Sequence, residues 1–534
     1  MAPKTAILDI SGWKTYVHMA ASARLYYAFV FIALGGLLFG YIIGATSNIV
    51  TEGQLECSSD WTGPVGTWTS VGYRQCYRFT ALDRGFLTSL NLIGALLSSL
   101  FCFLYSENMG RKLEVQIGAA LFFAGSVIAA ASPVKWAIYV GFTVYGFGIG
   151  FGMHAAPVFI AEISPADIRG ALVSAKEAIV VTGIFLGFAL GLAFQGVETI
   201  GWRYMVMFSA GVAVVMEVGI TFVPESPRFL VLKAIRGSGL LMSNDAGMNR
   251  AFSALRWFRT GDTDDAVNAE LQTMCEDIAA AVGTQAASVF AAFRYPLPLI
   301  IGCGLVFLQQ ITGQPSVLYY ATNIFKDAGF KNSAALSSTG VGIVKLLATL
   351  LTVWRVDKAG RRLLLYVGIT MQAVSLAVIS LAFAFRQCQT SGVDISQCEK
   401  EQVYLPQEWA VATVIALMVY VSGYQVGFGP IAWLMISEVF PVGVRGAALS
   451  VAAVVNFLSN IGMTLTQGIL QTLLTPSGLF LAYMVLSILS LVFVKFVVPE
   501  TKGKTLEEIE TMLSSWKSAR DVRVIPTEGG LAGA

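Results

Sequence analysis

The sequence predicts an all-α polytopic membrane protein with twelve transmembrane helices in two six-helix parallel repeats. Three observations support this fold class: the composition, twelve long apolar runs, and motifs that recur at a nearly constant offset. The chain is 55% hydrophobic and 13% charged, about half the charge of a soluble protein. A helix needs roughly 20 apolar residues to cross the hydrocarbon, and lipid offers no partner to the open edge of a sheet.

The apolar runs fall into two groups of six, which a polar segment of the chain separates. The predicted spans are 26–50, 84–104, 113–132, 136–161, 171–195, 203–223, 295–320, 334–354, 363–385, 409–436, 447–471 and 477–498. They divide the chain into a cytoplasmic N-terminal tail, two six-helix halves joined by a cytoplasmic linker with short helices, and a cytoplasmic C-terminal tail. The ranges are 1–25, 26–223, 224–294, 295–498 and 499–534.

Charge gives the predicted orientation and excludes one class of partner. The net charge of +2 is too small to generate the field that binds nucleic acid. Lys and Arg are more numerous in the segments on the side of the termini than in the opposite loops, even when the long linker is left out. Because basic residues accumulate on the cytoplasmic side, both termini are expected there. The membrane is the plasma membrane or that of an organelle such as the vacuole.

Three motifs are duplicated. Glu162-Ile-Ser-Pro-Ala-Asp-Ile-Arg169-Gly170 returns as Glu438-Val-Phe-Pro-Val-Gly-Val-Arg445-Gly446. Glu107-Asn-Met-Gly-Arg111-Lys returns as Asp357-Lys-Ala-Gly-Arg361-Arg. Pro224-Glu-Ser returns as Pro499-Glu-Thr. Each copy holds the same place within its six spans, which is typical of two parallel repeats related by an axis along the membrane normal.

The duplicated acids and arginines lie at the predicted cytoplasmic ends of spans. We expect charge pairs there that hold the two halves together on that side and break when it opens, because a partly buried pair is near neutral for stability but sensitive to geometry. The alternative is that these charges only set the topology. The candidate gating residues are Glu107, Arg111, Glu162, Arg169, Asp357, Arg361, Glu438 and Arg445.

Several motifs together resemble the sugar porter family of the major facilitator superfamily, over roughly residues 30 to 510. They are Pro224-Glu-Ser-Pro-Arg-Phe-Leu230, Asp357-Lys-Ala-Gly-Arg-Arg362, Gln309-Gln310 with Thr312-Gly313 and Tyr319-Tyr320, and Pro499-Glu-Thr-Lys-Gly503. Gly152-Met-His-Ala-Ala-Pro157 and Gln310-Ile-Thr-Gly-Gln-Pro-Ser316 are most similar to plant vacuolar and plastid glucose or xylose transporters. The resemblance implies alternating-access transport of a hexose or pentose, either facilitated or proton-coupled.

A sugar needs neutral donors and acceptors and an aromatic face for its apolar side. Gln309 and Gln310 in span seven and Asn456 and Asn460 on one face of span eleven supply amides, and Trp433 supplies the ring. These five positions resemble those that contact the substrate in the sugar porter family. The alternative for each amide is that it only joins helices by hydrogen bonds.

The chain departs from the family that it resembles at that family's usual proton-coupling position. Ile42 stands where many relatives have an acid in span one, and Phe142 replaces its partner arginine in span four. Pro315 also replaces a customary asparagine. Since neither Ile42 nor Phe142 can take a proton, coupling is either lost or located elsewhere.

Two charges stand instead at family sugar-binding positions: Glu177 in span five and Lys345 in span eight. An unpaired ion at the membrane midplane is expensive, so we expect them to face the cavity as an ion pair or a proton-sharing pair, with Glu177 as the candidate for proton coupling. The alternative is a solvated Glu177 beside Lys176. His154 is interpreted as a packed residue of span four and not as a proton carrier.

Four of the seven cysteines share loops in pairs on the predicted outer side: Cys57 with Cys76, and Cys388 with Cys398. Each pair is a candidate disulfide, the alternative being free thiols.

No nucleophile–base pair, metal cluster or phosphate loop stands out, so no enzyme activity, metal or cofactor is expected. The expected partners are a sugar, the lipid bilayer and a proton, with the monomer as the functional unit. A sugar sensor or a transporter of another polyol such as inositol are the alternative functions.

Overall fold

The computed structural model describes residues 23–58, 61–237, 245–283, 289–327, 334–388, 403–440, 444–502, 508–509 and 512–513. The chain forms two compact units, Met1–Ala286 and Ala287–Ala534. The finer domain boundaries given above stay predictions.

The first unit contains six long helices and three shorter ones. The long helices are α1 (Ala23–Ile49), α2 (Ala81–Met109), α3 (Arg111–Ala131), α4 (Lys135–Ile163), α5 (Ala166–Phe194) and α6 (Gly201–Thr221). The short helices of the linker are α7 (Pro227–Gly237), α8 (Asp245–Phe258) and α9 (Asp264–Gly283). Arg259 attaches the linker to the helical unit, because it pairs with Glu270 and donates to the Ile163 carbonyl at the end of α4 at 2.8 Å.

The second unit repeats this plan with more breaks. After a 3-10 turn at Val289–Arg294, it contains α10 (Pro296–Ile311), α11 (Gln314–Tyr319), α12 (Ala321–Asp327), α13 (Ala334–Ala359), α14 (Arg361–Ala384), α15 (Gln407–Val426), α16 (Phe428–Val439) and α17 (Arg445–Val497). Its core cluster is formed mainly by α10, α14, α16 and α17.

Eleven helices in the described part of the chain are long and apolar enough to cross a membrane, and one of them supplies two spans. α17 is continuous except at Thr475, whose φ of 59° and ψ of 160° are not helical, directly before Pro476. Across this turn the Tyr483 hydroxyl donates to Gln467 Oε1 at 2.8 Å, so the two segments of α17 lie side by side. The twelve predicted spans are therefore all accounted for.

We expect Thr475→Gly to stabilise the protein. A non-glycine residue in this conformation costs about 1–3 kcal/mol, which exceeds the entropy that glycine adds to the unfolded chain. The melting temperature in detergent should rise. Thr466→Gly is the matched control, because Thr466 lies exposed within regular helix of α17 and its replacement should lower the melting temperature. A lower melting temperature in Thr475→Gly would contradict the prediction.

Glycines bring the backbone of α4 into contact with two neighbouring helices. A Cβ on Gly146 would lie 2.3 Å from the Asn91 carbonyl oxygen of α2, and one on Gly148 would lie 3.0 Å from the Gly118 carbonyl oxygen of α3. The glycine run of α4, Gly146-Phe-Gly148-Ile-Gly150, thus serves close helix packing.

The two loops that carry the paired cysteines form small sheets. Between α1 and α2, β1 (Val65–Gly66) pairs with β2 (Cys76–Tyr77) in parallel, and Cys57 is disulfide-bonded to Cys76 with a Cα–Cα distance of 4.9 Å. Before α15, β3 (Gln387–Cys388) pairs with β4 (Val403–Tyr404) in antiparallel fashion. Cys398 lies outside the described residues, so its pairing with Cys388 stays a prediction.

Candidate functional site

The duplicated motif of the first unit forms a hydrogen-bonded cluster at the start of α3. Arg111 pairs with Glu162 at 3.2 Å, and the Ser226 hydroxyl donates to the other oxygen of the same carboxylate. Glu225 accepts from the backbone N–H groups of Arg111 and Lys112, each at 3.0 Å. Burial raises the pKa of the Glu225 carboxyl, while the backbone N–H groups and Arg111 oppose that rise.

The second unit repeats this cluster bond for bond. Arg361 pairs with Glu438 at 3.0 Å, and the Thr501 hydroxyl donates to Glu438. Glu500 accepts from the backbone N–H groups of Arg361 and Arg362, each at 3.1 Å. Each cluster thereby satisfies N–H groups in the first turn of a helix, which would otherwise have no partner.

Four of the eight candidate gating residues therefore form ion pairs, and each of these pairs lies within one unit. Arg169 is exposed and donates to the Ser164 carbonyl at 3.4 Å. The side chains of Glu107, Asp357 and Arg445 lie outside the described residues. A role of these residues in closing the cytoplasmic side stays a prediction.

Gln309 and Gln310 lie at the end of α10, where the helix breaks at Gly313, whose φ is +98°. Both side chains are almost fully buried. Gln309 Nε2 donates to the Phe428 carbonyl at 3.0 Å, so half of this amide joins α10 to α16 as the alternative interpretation expected. Its Oε1 atom is buried and has no hydrogen-bond partner.

Two more of the predicted contacts have a buried amide oxygen without a partner: Gln310 Oε1 and Asn460 Oδ1. Asn456 and Trp433 are half-buried, and Trp433 packs against the core cluster of the second unit. Because α10 packs against both α16 and α17, the helices that carry all five predicted contacts are neighbours. Buried polar atoms are normally hydrogen-bonded, and the role of these oxygens as acceptors for a ligand stays a prediction.

Lys345 is buried within the second unit. Its Nζ donates to Gln425 Oε1 at 2.8 Å and lies 4.8 Å from the centre of the Tyr424 ring. The Gln425 amide then donates to Thr349 Oγ1 at 2.6 Å. Sequence reasoning missed Gln425, although an amide just before the Gly427-Phe-Gly-Pro break was a usable signal.

Glu177 is half-buried on α5, and Lys176 beside it is also half-buried. The predicted pairing of Glu177 with Lys345 stays a prediction. Ile42 and Phe142, at the usual coupling place, are 1% and 2% exposed, which suits apolar packing.

His154, interpreted from sequence as a packing residue, has a charged partner. Its Nδ1 lies 2.9 Å from Oε2 of Glu114. A carboxylate oxygen of Glu114, a ring nitrogen of His154 and the sulfur of Cys102 all lie within 4.8 Å of one another. Two ionisable residues in adjacent apolar spans were the signal that could have revealed this cluster.

Most of the chain matches known proteins. Residues 28–513 match the family described as "Sugar (and other) transporter". The chain belongs to this family. It is 40% identical over 495 residues to the D-xylose-proton symporter-like 3, chloroplastic, of Arabidopsis thaliana, a match that covers 91% of this chain and 82% of the relative. It is 32% identical over 502 residues to a D-xylose transporter of Levilactobacillus brevis, covering 94% and 98% of the two chains.

The fold is confirmed by a solved structure. The partially occluded inward-open xylose transporter XylE of E. coli matches with a TM-score of 0.69 and 24% identity, covering 91% of this chain and 100% of that one. The chain is thus a multi-pass integral membrane protein with the twelve-helix, two-repeat major facilitator fold.

Proposed function

We propose that this protein transports a monosaccharide, a hexose such as glucose or a pentose such as xylose, by alternating access. The observation that carries the proposal is the set of buried amide oxygens without partners on α10 and α17, at Gln309, Gln310 and Asn460. Each can accept a hydrogen bond from a sugar hydroxyl, and the half-buried Trp433 offers an aromatic face. The names of the xylose-transporting relatives agree with this substrate class.

The neutral character of these groups supports a sugar over an ion. Amides bind hydroxyl groups without a net charge, and the one buried cation among the described site residues, Lys345, is already engaged by Gln425. No covalent step is needed, because transport changes only which side of the membrane the sugar reaches.

We place both termini in the cytoplasm, in the plasma membrane or an organelle membrane, on the distribution of Lys and Arg. The duplicated clusters around Arg111 and Arg361 then lie on the cytoplasmic side. In our proposal they stabilise the conformation closed on that side, and they loosen when it opens.

Reconstitution into liposomes tests the function. Purified protein should exchange labelled xylose or glucose across the membrane, and an excess of unlabelled substrate should compete. Labelled inositol in parallel liposomes distinguishes the polyol alternative. Saturable binding of xylose or glucose without any exchange would mean a sensor and would contradict transport.

A further inference from the structure

A carboxylate and an imidazole form a pair inside the first unit, away from the repeated cytoplasmic clusters. Glu114 on α3 is fully buried, and its Oε2 lies 2.9 Å from Nδ1 of His154 on α4. The other oxygen of Glu114 is buried and has no hydrogen-bond partner. A buried carboxylate is unfavourable unless a proton or a cation neutralises it. Among the described residues, no lysine or arginine bonds to Glu114, and His154 is the ionisable group in hydrogen-bonding contact with it.

The duplicated scaffold does not require this pair. The offset from Gly110 to Gly360 places Leu364 at the position equivalent to Glu114. The offset from Glu162 to Glu438 likewise places Pro430 at the position equivalent to His154. The second unit therefore builds the same ion-paired cluster at Arg361 with an apolar residue and a proline at these positions. The ionisable pair is an addition to the first half alone, which points to a function in the transport cycle.

The other ionisable groups on the neighbouring helices do not provide a permanent countercharge. Cys102 from α2 is the third member of the cluster. Glu217 on α6 accepts from Gln116 Nε2 at 3.1 Å, and the Tyr41 hydroxyl of α1 donates to the Met205 carbonyl at 2.6 Å. The adjacent Lys176 and Glu177 on α5 are of opposite charge, and exposed Arg228 lies on α7. Among the described residues, His154 therefore remains the ionisable group bonded to Glu114.

We propose that Glu114 and His154 form the proton-binding site that couples sugar movement to a proton gradient, an inference that rests on the proposed sugar transport. One proton binds and is shared between His154 Nδ1 and Glu114 Oε2, and no other bond forms or breaks. The protonated pair is neutral overall, as the apolar interior favours. The His154 side chain is 25% exposed and Glu114 is not exposed, so His154 is the member of the pair through which a proton can enter or leave. Release of the proton to water leaves Glu114 anionic and His154 neutral.

The pair also supplies a proton-binding site, which Ile42 and Phe142 at the usual proton-coupling positions cannot supply. Both of those side chains are buried and neither can bind a proton. Glu177, the candidate from the sequence, has no imidazole partner described, and it lies beside a lysine of opposite charge. Glu114 has a partner that can take the proton and pass it to water, which is the geometry of a proton relay.

The test compares two activities in the same proteoliposomes: exchange of labelled xylose or glucose without a pH gradient, and accumulation of that sugar driven only by an inward proton gradient. Glu114→Gln and His154→Gln should each lose accumulation, so that the internal sugar concentration only equals the external one, while exchange persists. A pH-sensitive dye should show sugar-dependent proton uptake in the parent and none in either variant. Glu217→Gln is the matched control, a carboxylate of the same unit bonded to an amide, and should accumulate sugar as the parent does.

Each contrary result has a defined meaning. Accumulation by both Glu114→Gln and His154→Gln at the level of the parent overturns the proposal, and so does loss of accumulation in Glu177→Gln alone. Exchange without any proton-driven accumulation in the parent also overturns it, with sugar transport intact. Loss of exchange together with accumulation in both variants would show that the pair serves folding or sugar binding instead. If Cys102→Ser loses accumulation, and a chelator abolishes accumulation in the parent, the cluster is a metal site instead. Absence of sugar exchange in the parent itself would refute the proposed function.

Discussion

Replacing Glu438 with alanine should lower the free energy of unfolding by about 3 kcal/mol, the lower end of the range for breaking a buried ion pair. The lower end applies because Arg361 and Glu438 keep 13% and 16% side-chain exposure. The substitution leaves the Arg361 guanidinium without its carboxylate and removes the acceptor of the Thr501 hydroxyl. The measurement is thermal unfolding in detergent micelles.

The design includes matched variants. Glu408→Ala removes an exposed carboxylate from the first turn of α15 and should leave the melting temperature nearly unchanged. The melting temperature of Glu438→Gln, which keeps an acceptor oxygen but not the charge, should lie between those of Glu438→Ala and Glu408→Ala. Glu162→Ala should behave as Glu438→Ala does, because Arg111 and Ser226 repeat the contacts of Arg361 and Thr501. Equal melting temperatures for Glu438→Ala and Glu408→Ala would mean that the cluster around Arg361 contributes little to stability.

Gln310→Ala should weaken sugar binding by about 1–3 kcal/mol, or about 5- to 150-fold in Kd, because a buried sugar hydroxyl loses its acceptor. The Gln310 Oε1 atom is buried and otherwise unpartnered, so the loss should fall on the complex more than on the free protein. Binding of labelled xylose or glucose to purified protein gives the Kd, and the melting temperature reports folding.

A second buried amide provides the control that distinguishes lost sugar recognition from the general effect of removing a buried amide. Gln372 on α14 is fully buried, and both of its amide atoms lack partners, but it lies outside the predicted sugar site. Gln372→Ala should bind sugar as the parent does. If Gln310→Ala also binds like the parent, the proposed location of the site is wrong.

Sequence predicted the helices well because the membrane imposes a simple requirement on them. All twelve apolar runs are helical, and the duplicated motifs predict the repeat. The turn at Thr475 was placed between spans eleven and twelve, although its unusual backbone conformation was not foreseen.

Side-chain partners were harder to predict, because they join residues far apart in the chain. Lys345 bonds Gln425, and Glu114 bonds His154, across separations of 80 and 40 residues. Hydropathy shows that such residues are costly in an apolar span, but not which neighbour satisfies them. The amide of Gln309 shows the same limit: sequence left ligand and helix contact open, and the nitrogen makes the helix contact while the oxygen stays available.

The glycines of α4 have a mechanical consequence for the Glu114–His154 pair. Since the backbone of α4 touches those of α2 and α3 at Gly146 and Gly148, α4 has no room to slide along either helix without a collision. We therefore expect the three helices to move together during the transport cycle. On that expectation the carboxylate and the imidazole stay within hydrogen-bonding distance of each other throughout the cycle, and the part that changes is the path that leads to them.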